Sequence, residues 1–288
     1  MRIPELFDKG GPVFSFEFFL PKPPQNMEQF FAAIGKLKEL GPDFVTLTYG
    51  AGGSERSRTV EMAGRISKEI GLLSVCHLTC ISHTKAEIRE ILARIKSQGI
   101  ENIVALRGDP PKDGALVPQE ERELPYAKDL VETIRTENGF AVAVGGYPEV
   151  HPEAASAQED LRRLKEKVDA GADWVITQLF FENAAYFDFV RRARAAGISI
   201  PIVPGIMPVT NFSQLKRFTN MCGVALPPKL LEDLKSIAED REAVVQYGID
   251  YALAQCRELL AGGAPGIHFY TLNKTRSTAR ILSALKSG

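Results

Sequence analysis

Asn102-Ile103-Val104-Ala105-Leu106-Arg107-Gly108-Asp109-Pro110-Pro111 decides how the chain is read. An apolar run of strand character stops at a cation, a glycine, a carboxylate and two prolines, so charge is concentrated where the strand ends. An active-site rim has this composition, and so has an ordinary strand exit that carries a surface ion pair. The flanking sequence separates the two readings.

Upstream, the helical pattern of residues 85–98 closes at Gly99 and feeds the run; downstream, a helical pattern over 126–137 leads to a further apolar strand at 141–144. The alternation continues in both directions. Toward the N-terminus lie strands at 13–19, 44–49 and 72–79 and helices at 27–40 and 59–70, the first helix stopped by Gly41-Pro42. Toward the C-terminus come a helix at 156–170, a strand at 174–180, a helix at 184–196, a strand at 200–204 and a helix at 212–220. Two more helical patterns, 228–238 and 241–261, precede the breaker Gly262-Gly263-Ala264-Pro265-Gly266, and a strand at 267–272 with a helix at 275–285 completes the series.

Strands recurring at roughly thirty-residue intervals, each followed by a helix, are βα units. Eight of them in 288 residues predict one α/β domain over 1–288, a (β/α)8 TIM barrel with extra helices before the last strand. The competing fold, an open doubly wound sheet, needs a glycine-rich phosphate turn. Its one candidate, Gly50-Ala51-Gly52-Gly53-Ser54-Glu55, has Glu55 where G-x-G-x-x-G requires its third glycine.

Composition narrows the function classes. Lys and Arg number 35 against 36 Asp and Glu, a balance that predicts no nucleic-acid partner. No stretch approaches the roughly 20 apolar residues of a membrane span, which predicts a cytoplasmic protein without a membrane partner. Four cysteines without a C-x-x-C pair suit reduced thiols. Cys76, His77, Cys80 and His83 are zinc-ligating types, but strand periodicity sends Cys76 and His77 to opposite faces, so no metal site is expected.

A barrel carries its chemistry at the C-terminal ends of its strands, which selects Glu17, Thr48, His77, Arg107, Asp109, Tyr147, Gln178 and Lys274. Taken singly, each has a structural explanation: a β-forming threonine, a rim aromatic, a satisfied histidine, a hydrogen-bonded plug. Glu17 stands out. Alternation puts Phe14, Phe16 and Phe18 on one face and Ser15, Glu17 and Phe19 on the other. If the first face packs on the helices, Glu17 enters the barrel mouth, where burial among aromatics is expected to raise its pKa toward that of a general acid. The structural alternative is an ion pair with a lysine or arginine of the barrel.

Several segments, in order along nearly the whole chain, carry a family resemblance. Phe14-Ser15-Phe16-Glu17-Phe18-Phe19, Val45-Thr46-Leu47-Thr48-Tyr49-Gly50, His77-Leu78-Thr79-Cys80, Ala105-Leu106-Arg107-Gly108-Asp109-Pro110-Pro111, Tyr147-Pro148-Glu149-Val150-His151-Pro152 and His268-Phe269-Tyr270-Thr271-Leu272-Asn273 resemble the methylenetetrahydrofolate reductases. The resemblance implies a flavin-containing barrel that reduces 5,10-methylenetetrahydrofolate to 5-methyltetrahydrofolate with NAD(P)H. It assigns FAD contacts to Thr48, His77, Arg107, Gly108, Asp109, Tyr126, Ala127, Tyr147, His151, Asp160 and Lys167, with Arg107 and Lys167 as the cations for the phosphate or ribose side. Folate contacts fall to Glu17, Asp109, Gln178, Gln214, Phe218 and Lys274, the last standing where the family often has arginine.

The implied catalytic pair is Glu17, as the acid that protonates folate N10, and Asp109, as the charge that favours hydride donation and a cationic iminium. The resemblance further implies a homo-oligomer and no C-terminal regulatory domain. Other readings remain at this stage: a pterin- or cobalamin-linked methyltransferase barrel, and a non-catalytic flavin- or folate-binding regulator.

Overall fold

Val13–Phe18 (β1), Phe44–Leu47 (β2), Leu73–Thr79 (β3), Asn102–Leu106 (β4), Ala141–Gly146 (β5), Trp174–Leu179 (β6), Ile202–Ile206 (β7) and Gly266–Tyr270 (β8) pair in parallel in chain order, and β1 closes on β8. The computed structural model describes residues 1–21, 26–49, 53–109 and 117–287, with backbone alone at 53–57 and 220–221. Pro110 and Pro111 of the opening segment and Gly50–Gly52 of the glycine-rich turn lie outside the described residues. Closure replaces the open-sheet alternative with a (β/α)8 barrel.

The helices are Pro4–Phe7 (α1), Met27–Lys38 (α2), Gly53–Arg65 (α3), Lys85–Ser97 (α4), Ala127–Thr136 (α5), Ala157–Asp169 (α6), Asn183–Ala195 (α7), Phe212–Cys222 (α8), Pro228–Ser236 (α9), Arg241–Ala261 (α10) and Thr275–Lys286 (α11). Side-chain caps start several of them: Thr84 and Glu87 form a reciprocal capping box at α4, Ser156 accepts from the Glu159 N–H at α6, and Asn211 accepts from the Gln214 N–H at α8. Among the described residues, no helix is long and apolar enough to cross a membrane.

Alternation along β1 sorts its side chains as the sequence predicts. Phe14, Phe16 and Phe18 join the layer between strands and helices with Phe30, Ile34 and Leu37, where Phe18 meets Phe30 edge-on at 5.8 Å and Phe16 stacks on Phe269 at 5.4 Å. Each such buried ring contributes roughly 1.5–3 kcal/mol. Val13 faces inward into a second cluster with Phe44, Val75, Val104, Ala143, Trp174 and Val203. Ile3 and Leu6 of the N-terminal segment plug this floor, and the Ile3 N–H donates to Asn102 Oδ1 at 2.8 Å.

Most strands differ from the sequence expectation by one or two residues at an end, and two of these differences have a visible cause. β1 stops at Phe18, because Asn273 takes over the ladder: its Oδ1 accepts the Phe19 N–H at 3.0 Å, its Nδ2 donates to the Phe19 carbonyl at 2.8 Å, and the Phe19 ring is exposed. β7 begins at Ile202 and runs through Pro204, beyond the expected 200–204. Pro204 cannot donate to a ladder, and β6 shifts register opposite it between Ile176 and Leu179. Thr177 Oγ1 accepts the Gly205 N–H there at 2.9 Å. A Cβ on Gly205 would lie 2.3 Å from the Thr177 carbonyl oxygen, so only glycine fits.

α9 and α10 precede β8, as the sequence indicates, and cover a third cluster above the barrel built from Leu179, Phe181, Met207, Val209, Leu215, Leu230, Leu234 and Val244.

Candidate active site

At the C-terminal end of the barrel, Glu17 is almost fully buried between two imidazoles. Its Oε2 lies 3.4 Å from His77 Nε2 on β3 and 3.5 Å from His268 Nε2 on β8, and neither ring nitrogen has another hydrogen-bond partner among the described residues. Ser15, one inward position below Glu17, places its Oγ 2.8 Å from His268 Nδ1. A serine hydroxyl that donates to Nδ1 fixes the ring proton on Nε2, facing Glu17. The Tyr270 ring stands edge-on to His268 at 5.1 Å, and its hydroxyl donates to the Thr177 carbonyl at 2.6 Å.

These neighbours correct one expectation. Burial does push the Glu17 carboxyl up, but the His268 N–H and the charges of His77 and His268 outweigh it, and the pKa lies below the ordinary carboxylate value. The partner is also not the lysine or arginine anticipated for a structural pair. Burial holds His77 below the usual imidazole range, against the attraction of Glu17 and together with the repulsion of His268. Cys76, on the opposite face of β3, belongs to the layer beneath the helices, where burial pushes its thiol to about 12.

The residues that the resemblance gives to flavin come from the ends of β2 to β5, the starts of α5 and α6 and, for Lys167, the last turn of α6. The Thr48 N–H donates to the Phe18 carbonyl at 3.0 Å, just after β2. Gly108 has φ 89°, and a Cβ there would lie 2.9 Å from Thr79 Cβ. Tyr126 precedes Ala127 at the start of α5, and its ring lies under the Arg163 guanidinium at 4.6 Å. Tyr147 and His151 meet edge-on at 4.5 Å, and Asp160 Oδ2 accepts the His151 N–H at 3.0 Å. Burial, with the charges of Asp160 and Asp109, pushes the Tyr147 hydroxyl to about 12. Asp109 itself is exposed at the rim.

The two cations are held differently. Arg107, which the resemblance gives to the phosphate or ribose side, grips Glu153 with both terminal guanidinium nitrogens, at 2.5 and 2.7 Å. The planar fork that fits this carboxylate fits a phosphate equally. The Lys167 amine donates to the Gly145 carbonyl at 2.5 Å, and burial lowers its pKa to about 8 despite the nearby charge of Asp160. No carboxylate lies within ion-pair range of Lys167 among the described residues. A buried amine with no carboxylate partner among the described residues and a guanidinium fork suit an anion, so the chemistry of these donors fits a phosphate-bearing flavin.

The folate-assigned residues lie on the other side of Glu17. Gln178, at the end of β6, is half-buried and its Oε1 accepts the Leu179 N–H at 2.9 Å. Gln214 and Phe218 lie on α8, Phe218 packed against the third apolar cluster. Lys274, at the start of α11, donates to Gln214 Oε1 at 2.6 Å and to Thr210 Oγ1 at 3.2 Å. Burial and the charge of Arg241 lower its pKa. Glu17, His77, Lys274 and Gln214 are thus arranged around one mouth. Sequence reasoning did not single out Ser15 and His268 as site residues; the available signal was the inward parity that each shares with Glu17 or Tyr270.

Known proteins resemble the chain in both sequence and architecture. A family model described as methylenetetrahydrofolate reductase matches residues 2–286. The chain is 41% identical over 272 residues to the 5,10-methylenetetrahydrofolate reductase of Escherichia coli (strain K12), covering 94% of this chain and 90% of that one. It is 40% identical over 295 residues to methylenetetrahydrofolate reductase (NADH) 1 of Arabidopsis thaliana, covering 99% of this chain and 50% of the relative, so it spans about half the length of that plant protein. A solved structure of an uncharacterized Clostridium thermocellum protein that binds two copies of 5-methyl-5,6,7,8-tetrahydrofolic acid superposes with a TM-score of 0.68 at 13% identity, over 100% of this chain and 99% of that one, a likeness of fold.

Proposed function

The chain belongs to the methylenetetrahydrofolate reductase family, and from that premise we propose that it reduces 5,10-methylenetetrahydrofolate to 5-methyltetrahydrofolate with NAD(P)H, using FAD. The observation that carries the proposal is the buried Glu17 carboxyl, set between His77 and His268 at the C-terminal end of the barrel, which supports its reading as the group that protonates folate. We read the whole chain as one catalytic barrel acting in the cytoplasm.

FAD, when bound, would supply the hydride relay between nicotinamide and the one-carbon unit. Arg107, after releasing Glu153, and Lys167 would hold its phosphates; Thr48, Gly108, Tyr126, Ala127, Tyr147, His151 and Asp160 would line its remaining contacts. Glu17, whose lowered pKa leaves it ionised in the free site, takes up a proton once bound substrate has displaced water from its carboxyl and donates it to folate N10, which opens the five-membered ring to a 5-iminium cation, because the nitrogen leaves poorly without a proton. His268, held by Ser15, and His77 border the same carboxyl and supply the positions from which its proton is replaced. Asp109 contributes negative charge that stabilises the cationic iminium and favours hydride donation. Lys274 and Gln214 bind the glutamate end of folate, and Phe218 packs beside its ring.

The visible spectrum tests this. The purified protein is expected to be yellow, to bleach anaerobically with NADH or NADPH, and to recover its colour when 5,10-methylenetetrahydrofolate is added. A colourless protein that neither binds flavin nor oxidises nicotinamide would return the pterin-linked methyltransferase reading, and one that binds flavin without turnover would return the regulator.

A further inference from the structure

The segment Tyr147-Pro148-Glu149-Val150-His151-Pro152 gives Tyr147 and His151 to the flavin side, while its acidic member has no part in that chemistry. Glu149 reaches the other side of the cleft. Its Oε2 accepts the Ala225 backbone N–H at 2.9 Å, just past the end of α8. The carboxylate is half-buried: burial pushes its pKa up, the Ala225 N–H pulls it down, and nearby Glu182 pushes it up again.

Pro152 meets the same helix end. Gly223 terminates α8 at φ 67°, and a Cβ there would lie 2.9 Å from Pro152 Cγ. The loop thus touches the end of α8 by one hydrogen bond and one close packing contact. At its first turn α8 is tied by Lys274 to Gln214. Phe218 lies between the two ties, on the stretch whose position relative to the flavin loop they determine.

We propose that Glu149 is a positioning residue for the folate: it holds the end of α8, and with it Phe218, against the loop carrying Tyr147 and His151, and so sets the width of the slot between the flavin-binding and folate-binding sides. The assignment rests on the proposed folate reduction. It concerns ground-state fit of the pterin ring and leaves the proton and hydride steps to other residues, so its signature is a change in KM with kcat retained.

The test is steady-state kinetics of the FAD-loaded enzyme, with flavin titration of the apoprotein as control. Glu149→Ala is expected to raise the KM for 5,10-methylenetetrahydrofolate about tenfold, equivalent to ~1.4 kcal/mol, with kcat within about twofold and FAD affinity unchanged. Glu149→Gln, whose amide oxygen still accepts from Ala225, restores the KM. A Glu149→Ala KM within about twofold of wild type, or a Glu149→Gln enzyme as impaired as Glu149→Ala, would overturn the assignment. If Glu149→Ala does not fold, Gly223→Ala serves: it leaves Glu149 intact, presses the same helix end away from Pro152, and must raise the KM while kcat is retained. A Gly223→Ala enzyme with the wild-type KM overturns the proposal. Wild-type protein that never turns over folate overturns the functional reading and this inference together, whereas normal wild-type turnover beside unaffected variants overturns the inference alone.

Discussion

Ser15 Oγ and His268 Nδ1 lie 2.8 Å apart because their residues are register partners on the two strands that close the barrel. The first and last strands thereby build one buried hydrogen bond directly beneath Glu17. A neutral imidazole has one N–H; the Glu17 carboxylate favours it on Nε2, and the serine hydroxyl, able to donate to the other nitrogen, completes that arrangement.

Ser15→Ala is therefore expected to slow the folate half-reaction about tenfold while reduction of the flavin by nicotinamide keeps its rate. Stopped-flow absorbance of the two half-reactions measures both. Equal slowing of the two would mean that the pair only supports the fold.

Glu17→Gln keeps the size of the side chain and removes the acid. Loss of a general acid costs typically 10²–10⁴-fold, and a loss of about that order is expected in folate reduction alone. Wild-type folate turnover in this variant, with a normal flavin half-reaction, would end the acid assignment.

Stability should fall on acidification through His77. Its folded pKa lies below the ordinary imidazole value of 6.5, so the unfolded chain takes up the proton first as pH falls. The stabilisation is complete above pH 6.5 and is lost as pH drops toward the folded pKa. Glu17, also lowered, acts in the same direction below its ordinary 4.5. Chemical denaturation of His77→Gln across pH 5–8 is expected to show a flatter profile just below pH 6.5 than wild type.

Glu153 occupies the guanidinium fork that the proposal gives to phosphate. Glu153→Gln removes a competing anion, and FAD affinity of the apoprotein at low salt is expected to rise about threefold, a size in keeping with an exposed ion pair. The gain shrinks as salt screens both interactions. Fluorescence titration with FAD measures it; weaker binding would show that Glu153 helps hold the cofactor.

Gly205→Ala should be among the most damaging small substitutions in the chain. The added methyl meets both the Thr177 carbonyl oxygen, at 2.3 Å, and the Tyr270 ring, at 2.5 Å. A stability loss of at least roughly 1–3 kcal/mol is expected from overpacking at such a site, measured by urea denaturation.

The barrel was legible because alternating strands and helices leave few other architectures, and the inward direction of Glu17 followed from the two-residue period of β1. The surroundings of Glu17 were not legible to the same degree. His268 lies 251 positions away by residue number, and its approach depends on β8 closing against β1, which no local pattern reports. Hence the expected rise in the Glu17 pKa was reversed: burial could be read from the phenylalanines, but not the imidazoles across the barrel. The Arg107–Glu153 grip escaped for a similar reason, since it joins the exits of two different strands. Pro204 did carry a local warning, as a residue unable to donate in a ladder, and it coincides with the register shift of β6.

Ile3 and Leu6 give the barrel a stopper as well as a floor. With its lower end filled by these side chains, the vessel opens toward the residues around Glu17 at the opposite rim, among the described residues. Under the proposed reaction, nicotinamide and folate would queue at that rim, and a spent nicotinamide that lingers would block the next guest. On the same proposal, each product would compete with the other substrate.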